Sequence, residues 1–338
     1  MRLRIFGRKW RMARGSRSAL GDVQRPAFGF LRVADTLALC LGLLCGLAAL
    51  VSNGGFFSAR LDLIGQFAAV WLLGSGLVAF YGVCFASAVR RWVLVVLGLG
   101  GMLVCTPLVL PELTRPIRPL LQSAAGYRIK VIEYNAWERN PNIGSDVDWL
   151  ARQNPDFILM TDTDDAAILA LAARGFICTQ GVADTVIFSR LPRARETYMI
   201  PGSEWPQLPS FSRASFAAAG GDFTVIATHL KRPTSGPHSE QRAALLRLIN
   251  HYDRRRLILA GDFNSTPWSF GLRRLDQQLG LERRDRALFT WPALYSPVAF
   301  LPIDHIYAGE AWRTVSIVRG PRLGSDHYPI VVTLALTG

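Results

Sequence analysis

Three long apolar segments in the first third of this 338-residue chain constrain its fold more than any other feature. They cover about residues 33–51, 63–89 and 92–110, joined by short polar stretches. A helix needs roughly twenty apolar residues to cross ~30 Å of hydrocarbon, and each segment can supply nearly that many or more. One such segment alone would also fit a signal peptide or a buried helix. Three in succession, with no small-residue cleavage pattern, predict an N-terminal bundle of about three transmembrane helices. The second is longer than a single crossing requires, which implies tilt or an imprecise boundary. Glycines run through all three, among them Gly42, Gly74, Gly98 and Gly101, and small residues let helices pack closely.

Positive charge sets the expected orientation. Residues 1–32 form a basic tail that includes Arg2, Arg8, Lys9, Arg25 and Arg32, and Arg90-Arg91 separates the second and third segments. Both lie on the cytoplasmic side if the first segment runs outward. The expectation is a multi-pass protein of the cytoplasmic (inner) membrane, N-terminus inside, with everything after Pro111 extracytoplasmic. The net charge of +13 divides accordingly: residues 1–110 hold 12 Lys/Arg and 3 Asp/Glu, leaving 26 and 22, or +4, for the rest. The basic balance is therefore mostly a topology signal and not the footprint of a nucleic-acid groove. Cys40, Cys45, Cys84 and Cys105 fall in the apolar segments, so Cys178 has no disulfide partner in the remainder.

Residues 111–126 read as a linker, and 127–338 as one catalytic domain. Alternation predicts a strand over 127–134 that ends at Asn135, and apolar runs predict strands near 157–160, 176–179, 185–188, 223–228, 257–260, 303–308, 314–318 and 330–336. Helical patterns cover about 146–153, 166–173, 239–252 and 270–279, while 193–212 has no clear period. The polar motif residues recur just after strand ends. That predicts an α/β (α+β) fold, two packed sheets flanked by helices, with a site along one rim.

The densest motif is LILAGDFNSTPWS, residues 257–269: a buried strand, a glycine turn, then Asp262 and Asn264. An isolated Asp-x-Asn is usually a turn that stops a strand. Here it has company in Asn135, Asp162, His229, Asp304, Asp326 and His327. Carboxylates, amides and imidazoles without a thiol favour hard cations, Mg²⁺ or Mn²⁺ and by extension Ca²⁺. Histidines beside carboxylates can protonate a leaving group or steady a phosphoryl oxygen, and a carboxylate such as Asp262 can orient and deprotonate water. No GxSxG, P-loop or HExxH motif is present, which disfavours serine hydrolases, NTPases and zincins. The set suits metal-assisted attack of water on a phosphate ester or anhydride.

From Tyr127 onward the chain resembles the endonuclease/exonuclease/phosphatase (DNase I-like) superfamily. The resemblance rests on VIEYNAW at Asn135, PDFILMTD at Asp162, TVIFSR, ATHL at His229, GDFNSTPWS, IDHIY at Asp304 and GSDHYPI at Asp326-His327. It implies a four-layer αββα sandwich with metal-binding roles for Asp162, Asn135 and Asp326. It further implies that Asp262 activates water, Asn264 binds the phosphate, Asp304 orients His327, and His327 and His229 contact the phosphate. The family usually has glutamate where this chain has Asp162, preceded by glutamine where it has Thr161. The shorter side chain calls for a backbone shift, a water, or help from Asp164.

The implied partners are the lipid bilayer and a phosphorylated, lipid-linked substrate. The arrangement resembles the multi-pass branch of the superfamily associated with glycopeptide resistance, which is linked to polyprenyl pyrophosphate. An extracytoplasmic nuclease and a non-catalytic membrane scaffold with an idle site are the alternatives, and no protein partner is inferable. His238 and His251 are expected to face solvent, Arg242, Arg254-Arg255-Arg256 and Arg283-Arg284 to be surface cations, and His305 to point away from the site.

Overall fold

The structure is a computed structural model that describes residues 24–116, 127–194, 208–294 and 298–337. Most of the basic tail and of the linker, and residues 195–207 of the stretch without a period, lie outside the described residues. Four helices open the chain: α1 (Gln24–Asn53), α2 (Ala59–Gly65), α3 (Ala68–Cys84) and α4 (Ala88–Thr114). Two spans, Arg32–Phe56 and Ala88–Thr114, are long and apolar enough to cross a membrane. The middle segment is broken. At 1.5 Å per residue α3 alone is only about 26 Å long, and α2 is set 50° away from it.

Close packing holds the helices together. A Cβ at Gly98 of α4 would lie 2.5 Å from the Ala79 backbone nitrogen of α3. Near the start of α1, Asp35 accepts hydrogen bonds from Tyr81 (3.0 Å) and Ser87 (2.8 Å), which ties α1 to the α3–α4 joint.

The rest of the described chain is two packed sheets. One has the order β10 (Trp312–Arg319), β11 (Ile330–Leu336), β1 (Tyr127–Asn135), β2 (Phe157–Thr161), β4 (Val186–Ser189) and β3 (Ile177–Gln180). The other has the order β5 (Ser210–Phe216), β6 (Phe223–His229), β7 (Leu257–Asp262), β9 (Asp304–Ala308) and β8 (Glu282–Arg283). Each sheet is mixed: β1 runs parallel to β2 and β6 parallel to β7, and their other pairings are antiparallel.

The sequence period explains the layers. Ile129, Val131, Val225, Ala227, Ile258 and Ala260 point inward and fill the core between the sheets. The alternate residues Ile132, Tyr134 and Ile158 face α5 (Ile143–Arg152) and α6 (Asp165–Ala172). Ile226, Leu257 and Leu259 face α7 (His238–Ile249) and α8 (Phe270–Leu279). The result is the expected sandwich of two sheets between helices. Two strands are absent from the sequence reading: β5, whose Ser and Arg among Phe and Ala hide its period, and the two-residue β8.

The helical region docks on this sandwich through buried charge. Arg283 forms a two-pronged ion pair with Glu112 of α4, at 2.9 and 2.8 Å, and both side chains are 3% exposed. This corrects the sequence expectation that Arg283-Arg284 is a solvated run. Arg284 is also buried, donating to the carbonyls of Ala308, Gly309 and Trp312. Arg256 is likewise buried and bonds the carbonyls of Ala219 and Gly221. Each runs counter to composition because a carboxylate or a set of carbonyls distant in sequence receives it.

Candidate active site

The parallel pairs bring the ends of β1, β2, β6 and β7 to the same rim, and the register does the rest. His229 pairs with Asp262 across β6–β7, and Asp262 pairs with Asp304 across β7–β9. Gly261 makes this possible: its φ is +150°, and a Cβ there would sit 1.8 Å from the Thr228 carbonyl oxygen. Asp162 and Asn264 both adopt a left-handed backbone, φ 48°, which turns the chain sharply just past β2 and β7.

Asp262 Oδ2 is the point on which the site converges. Asn135 Nδ2 donates to it at 3.1 Å and Asn264 Nδ2 at 3.2 Å. The Nε2 atoms of His229 and His327 approach it at 3.7 and 3.8 Å. Its other oxygen accepts the Asn264 backbone N–H at 2.7 Å. Behind His327, Asp304 pairs with Nδ1 at 2.8 Å and fixes the ring, and the Asp326 carboxylate lies 4.0 Å from Nε2. The indole N–H of Trp291 donates to Asp326.

Asp184 has no counterpart among the sequence candidates. It lies just before the TVIFSR motif and pairs with His229 Nδ1 at 3.0 Å, with Asp162 3.6 Å from the same nitrogen. Asp162, Asp184 and His229 offer donor atoms within 4.8 Å of one another, and so do Asp262, Asp304 and His327. Asp164, proposed from the sequence as help for Asp162, instead caps α6 by accepting the Ala167 N–H at 2.8 Å.

Buried like charges govern the electrostatics. Burial and the neighbouring Asp304 push Asp262 up to about 6, although His327 and His229 pull the other way. Burial would lower both imidazoles, but their carboxylate neighbours prevail: Asp184, Asp262 and Asp162 raise His229 to about 9, and Asp304, Asp262 and Asp326 raise His327 to about 9. Burial raises Asp162 above the ordinary carboxylate range, with His229 opposing and Asp184 reinforcing. One turn of strand deeper, Glu133 is fully buried with both carboxylate oxygens unpartnered. Burial and the charges of Asp304, Asp262 and Asp285 raise it well above its ordinary value.

Seven of the eight sequence candidates line one cavity of about 730 Å³: Asn135, Asp162, His229, Asp262, Asn264, Asp326 and His327. Asp304 stands behind it, fully buried. The helical region contributes Leu63, Ile64, Gln66 and Phe67 to the same lining, which also includes Lys231 and Arg232. His305 points the other way, as its place on β9 implies, between Asp285 and the Ser265 carbonyl at 2.7 and 2.9 Å. His238 departs from expectation. It is 6% exposed, with Nδ1 on the Lys231 carbonyl and Nε2 3.1 Å from Ser265 Oγ, because the loop before α7 folds under the site.

The profile of the Endonuclease/Exonuclease/phosphatase family matches residues 132–327, more than half of the chain. No curated protein matches. Among solved structures, an endonuclease/exonuclease/phosphatase from Bacteroides vulgatus is 17% identical with a TM-score of 0.52, the match covering 62% of this chain and 99% of that one. The mannosyl-6-phosphatase Bt3783 of Bacteroides thetaiotaomicron is 16% identical with a TM-score of 0.51, covering 62% and 100%. A D. rerio TDP2 complexed with single-strand DNA product is 17% identical with a TM-score of 0.50, covering 61% and 98%. At these identities the likeness is one of fold.

Proposed function

This chain belongs to the endonuclease/exonuclease/phosphatase family, and from that premise we propose that it is a membrane-anchored, divalent-metal-dependent hydrolase of a lipid-linked phosphate or pyrophosphate. In this reading residues 33–110 are the membrane region, residues 127–338 the catalytic domain, and the site faces the extracytoplasmic side. One observation carries the substrate class: the cavity that holds the carboxylate–histidine cluster is also lined by Leu63, Ile64 and Phe67 of the apolar region. A substrate with a phosphate at one end and hydrocarbon at the other matches both parts of that lining. The resemblance to the glycopeptide-resistance branch points to a polyprenyl pyrophosphate.

The donor set fits a divalent cation. Asp162, Asp184 and His229 offer donor atoms within 4.8 Å of one another, and carboxylate oxygens of this kind suit a hard divalent ion. Asp162, assisted by Asp184 in place of the missing methylene, would hold Mg²⁺ or Mn²⁺ together with Asn135 and Asp326. The cation would supply Lewis-acid polarisation of a phosphoryl oxygen.

The remaining roles belong to the chain itself. Asp262 accepts a proton from the attacking water, and its fan of amide donors keeps the carboxylate oriented for that. Asn264 and His327 face the phosphate, with His327 charged and fixed by Asp304, so that negative charge gathering on the phosphoryl oxygens meets a preorganised donor. His229, braced by Asp184, stands where a leaving oxygen could take its proton.

The test offers full-length protein in detergent a polyprenyl pyrophosphate and, separately, a supercoiled plasmid, each with Mg²⁺ or Mn²⁺ and with His327→Ala as the blank. Phosphate release from the lipid alone is the expected result. Plasmid cleavage alone would replace this reading with that of a surface nuclease. No reaction with either across several divalent metals would favour the idle scaffold.

A further inference from the structure

The short helix α2 does more than wall the cavity, because its other face holds the loop that presents Asp262 and Asn264. Gln66, at the break between α2 and α3, accepts the Thr266 backbone N–H (2.7 Å) and hydroxyl (3.0 Å) on its side-chain oxygen. Its backbone carbonyl accepts the Trp268 indole N–H at 2.7 Å. One turn earlier, Asp62 accepts the N–H groups of Phe270 and Gly271, both at 2.8 Å, and so caps α8. Gln66, Thr266 and Trp268 are all buried, at 8%, 0% and 1% exposure.

Thr266 lies two residues beyond Asn264 and four beyond Asp262. The sandwich holds the start of this loop, with the Phe263 N–H on the Ile303 carbonyl and the Asn264 amide on the Leu230 carbonyl, and His238 and His305 contact Ser265. Gln66 is the partner of the buried Thr266 N–H. A buried amide left without an acceptor costs about 1–3 kcal/mol, so this part of the loop is held less firmly if α2 moves away. The compared structures, matched over 98% or more of their own length by about 62% of this chain, indicate that the helical region is an addition to the shared fold.

We propose that Gln66 is a positioning residue of the reaction: through Thr266 and Trp268 it sets the loop carrying Asp262 and Asn264, which makes α2 a working part of the active site and not a tether. The kinetic part of this inference rests on the hydrolase reading above. The loop-setting part does not.

The experiment compares full-length wild type with Gln66→Leu, which keeps the volume and removes the acceptor, and with Gln66→Glu, which keeps an acceptor oxygen. Hydrogen exchange of residues 263–269 is read beside kcat and KM for polyprenyl pyrophosphate. The expected result is faster exchange confined to that loop, kcat about 10- to 100-fold lower with KM little changed, and substantial recovery in Gln66→Glu. Thr266→Val should cost less in the Gln66→Leu background than alone, because the two act through one contact. Unchanged exchange with kcat within about twofold of wild type, or fully additive effects, would overturn the inference. If Gln66→Leu does not fold, Thr266→Val carries the same two readouts. If wild type hydrolyses nothing, the exchange data still decide the loop-setting claim, and only the functional reading falls.

Discussion

The two regions of this molecule treat apolar side chains in opposite ways. In the sandwich the strand residues Val131, Ile158, Val225, Ile258 and Ile306 are completely buried. Among its described residues, only Leu169, Ile177, Val298 and Val318 are large and exposed. The helical region exposes Leu37, Leu73, Val89, Val96 and Leu103 at 66%, 66%, 88%, 67% and 75%. A protein surface in water does not sustain so much contiguous apolar area, whereas hydrocarbon does. Polar groups invert the pattern: those of the helical region that meet the sandwich (Asp62, Gln66, Glu112) are buried and bonded, as are Asn135, Asp262, Asp304 and His327 among the catalytic candidates. The cavity lies where the two regimes meet, which is why one pocket can present both an acidic cluster and the apolar side chains of Leu63, Ile64 and Phe67.

The sharpest way to break the contrast at its polar end is Asp262→Ala. Turnover should fall by about 10³-fold or more while the thermal melt changes little, since the lost carboxylate is itself held above its ordinary pKa by burial. A variant that retains activity would show that the convergence on Asp262 Oδ2 is structural. Next in size is Arg283→Ala, which removes the two-pronged partner of the buried Glu112 and leaves it the contact with Arg115 and the Ala287 N–H. Breaking such a pair costs about 3–5 kcal/mol, and the expected outcome is a lower melting temperature in detergent with earlier protease cleavage between the helices and the sandwich. An unaltered melt would mean that the docking is incidental.

A smaller effect is expected at Asp184. Asp184→Asn should weaken Mn²⁺ binding by about 10- to 100-fold in calorimetric titration, with the fold retained. Equal affinity would leave Asp162 alone as the anchor of the cation. The smallest effects test exposed apolar positions. Leu103→Asp should impair membrane insertion by about 2.5–3.5 kcal/mol if that face meets lipid, whereas Val318→Ser on the sandwich should stay within about 0.5 kcal/mol. Similar tolerance at both positions, read as the membrane-extracted fraction, would erase the distinction.

How much of this was legible in the sequence divides along the same line. Strands β1, β2, β6 and β7 announce themselves by apolar runs whose ends carry Asn135, Asp162, His229, Asp262 and Asn264, while Asp304 and Asp326-His327 stand at or just before the starts of β9 and β11. The break between α2 and α3 was not legible. Apolar composition is continuous across Leu63 to Val89, and what sets the break is hydrogen bonding to Thr266 and Trp268, two hundred residues away. Asp184 belongs to no motif; its only signal is its place just before the strand that begins at Val186. His238, Arg283 and Arg284 look solvent-exposed by residue type, and each is buried by a partner that sequence proximity does not reveal. Long-range polar contacts, which have no period, account for nearly everything missed.

The central claim is that one cavity reads phosphate and hydrocarbon together, and chain length tests it most directly. Phosphate release would be measured for two pyrophosphates that share a headgroup, one on a long polyprenyl chain and one on a short water-soluble chain, with His327→Ala as the blank. The account predicts a kcat/KM at least about tenfold higher for the long chain, with that advantage shrinking in Leu63→Ser or Phe67→Ser. Equal kcat/KM for the two chains, unaffected by either substitution, would contradict it.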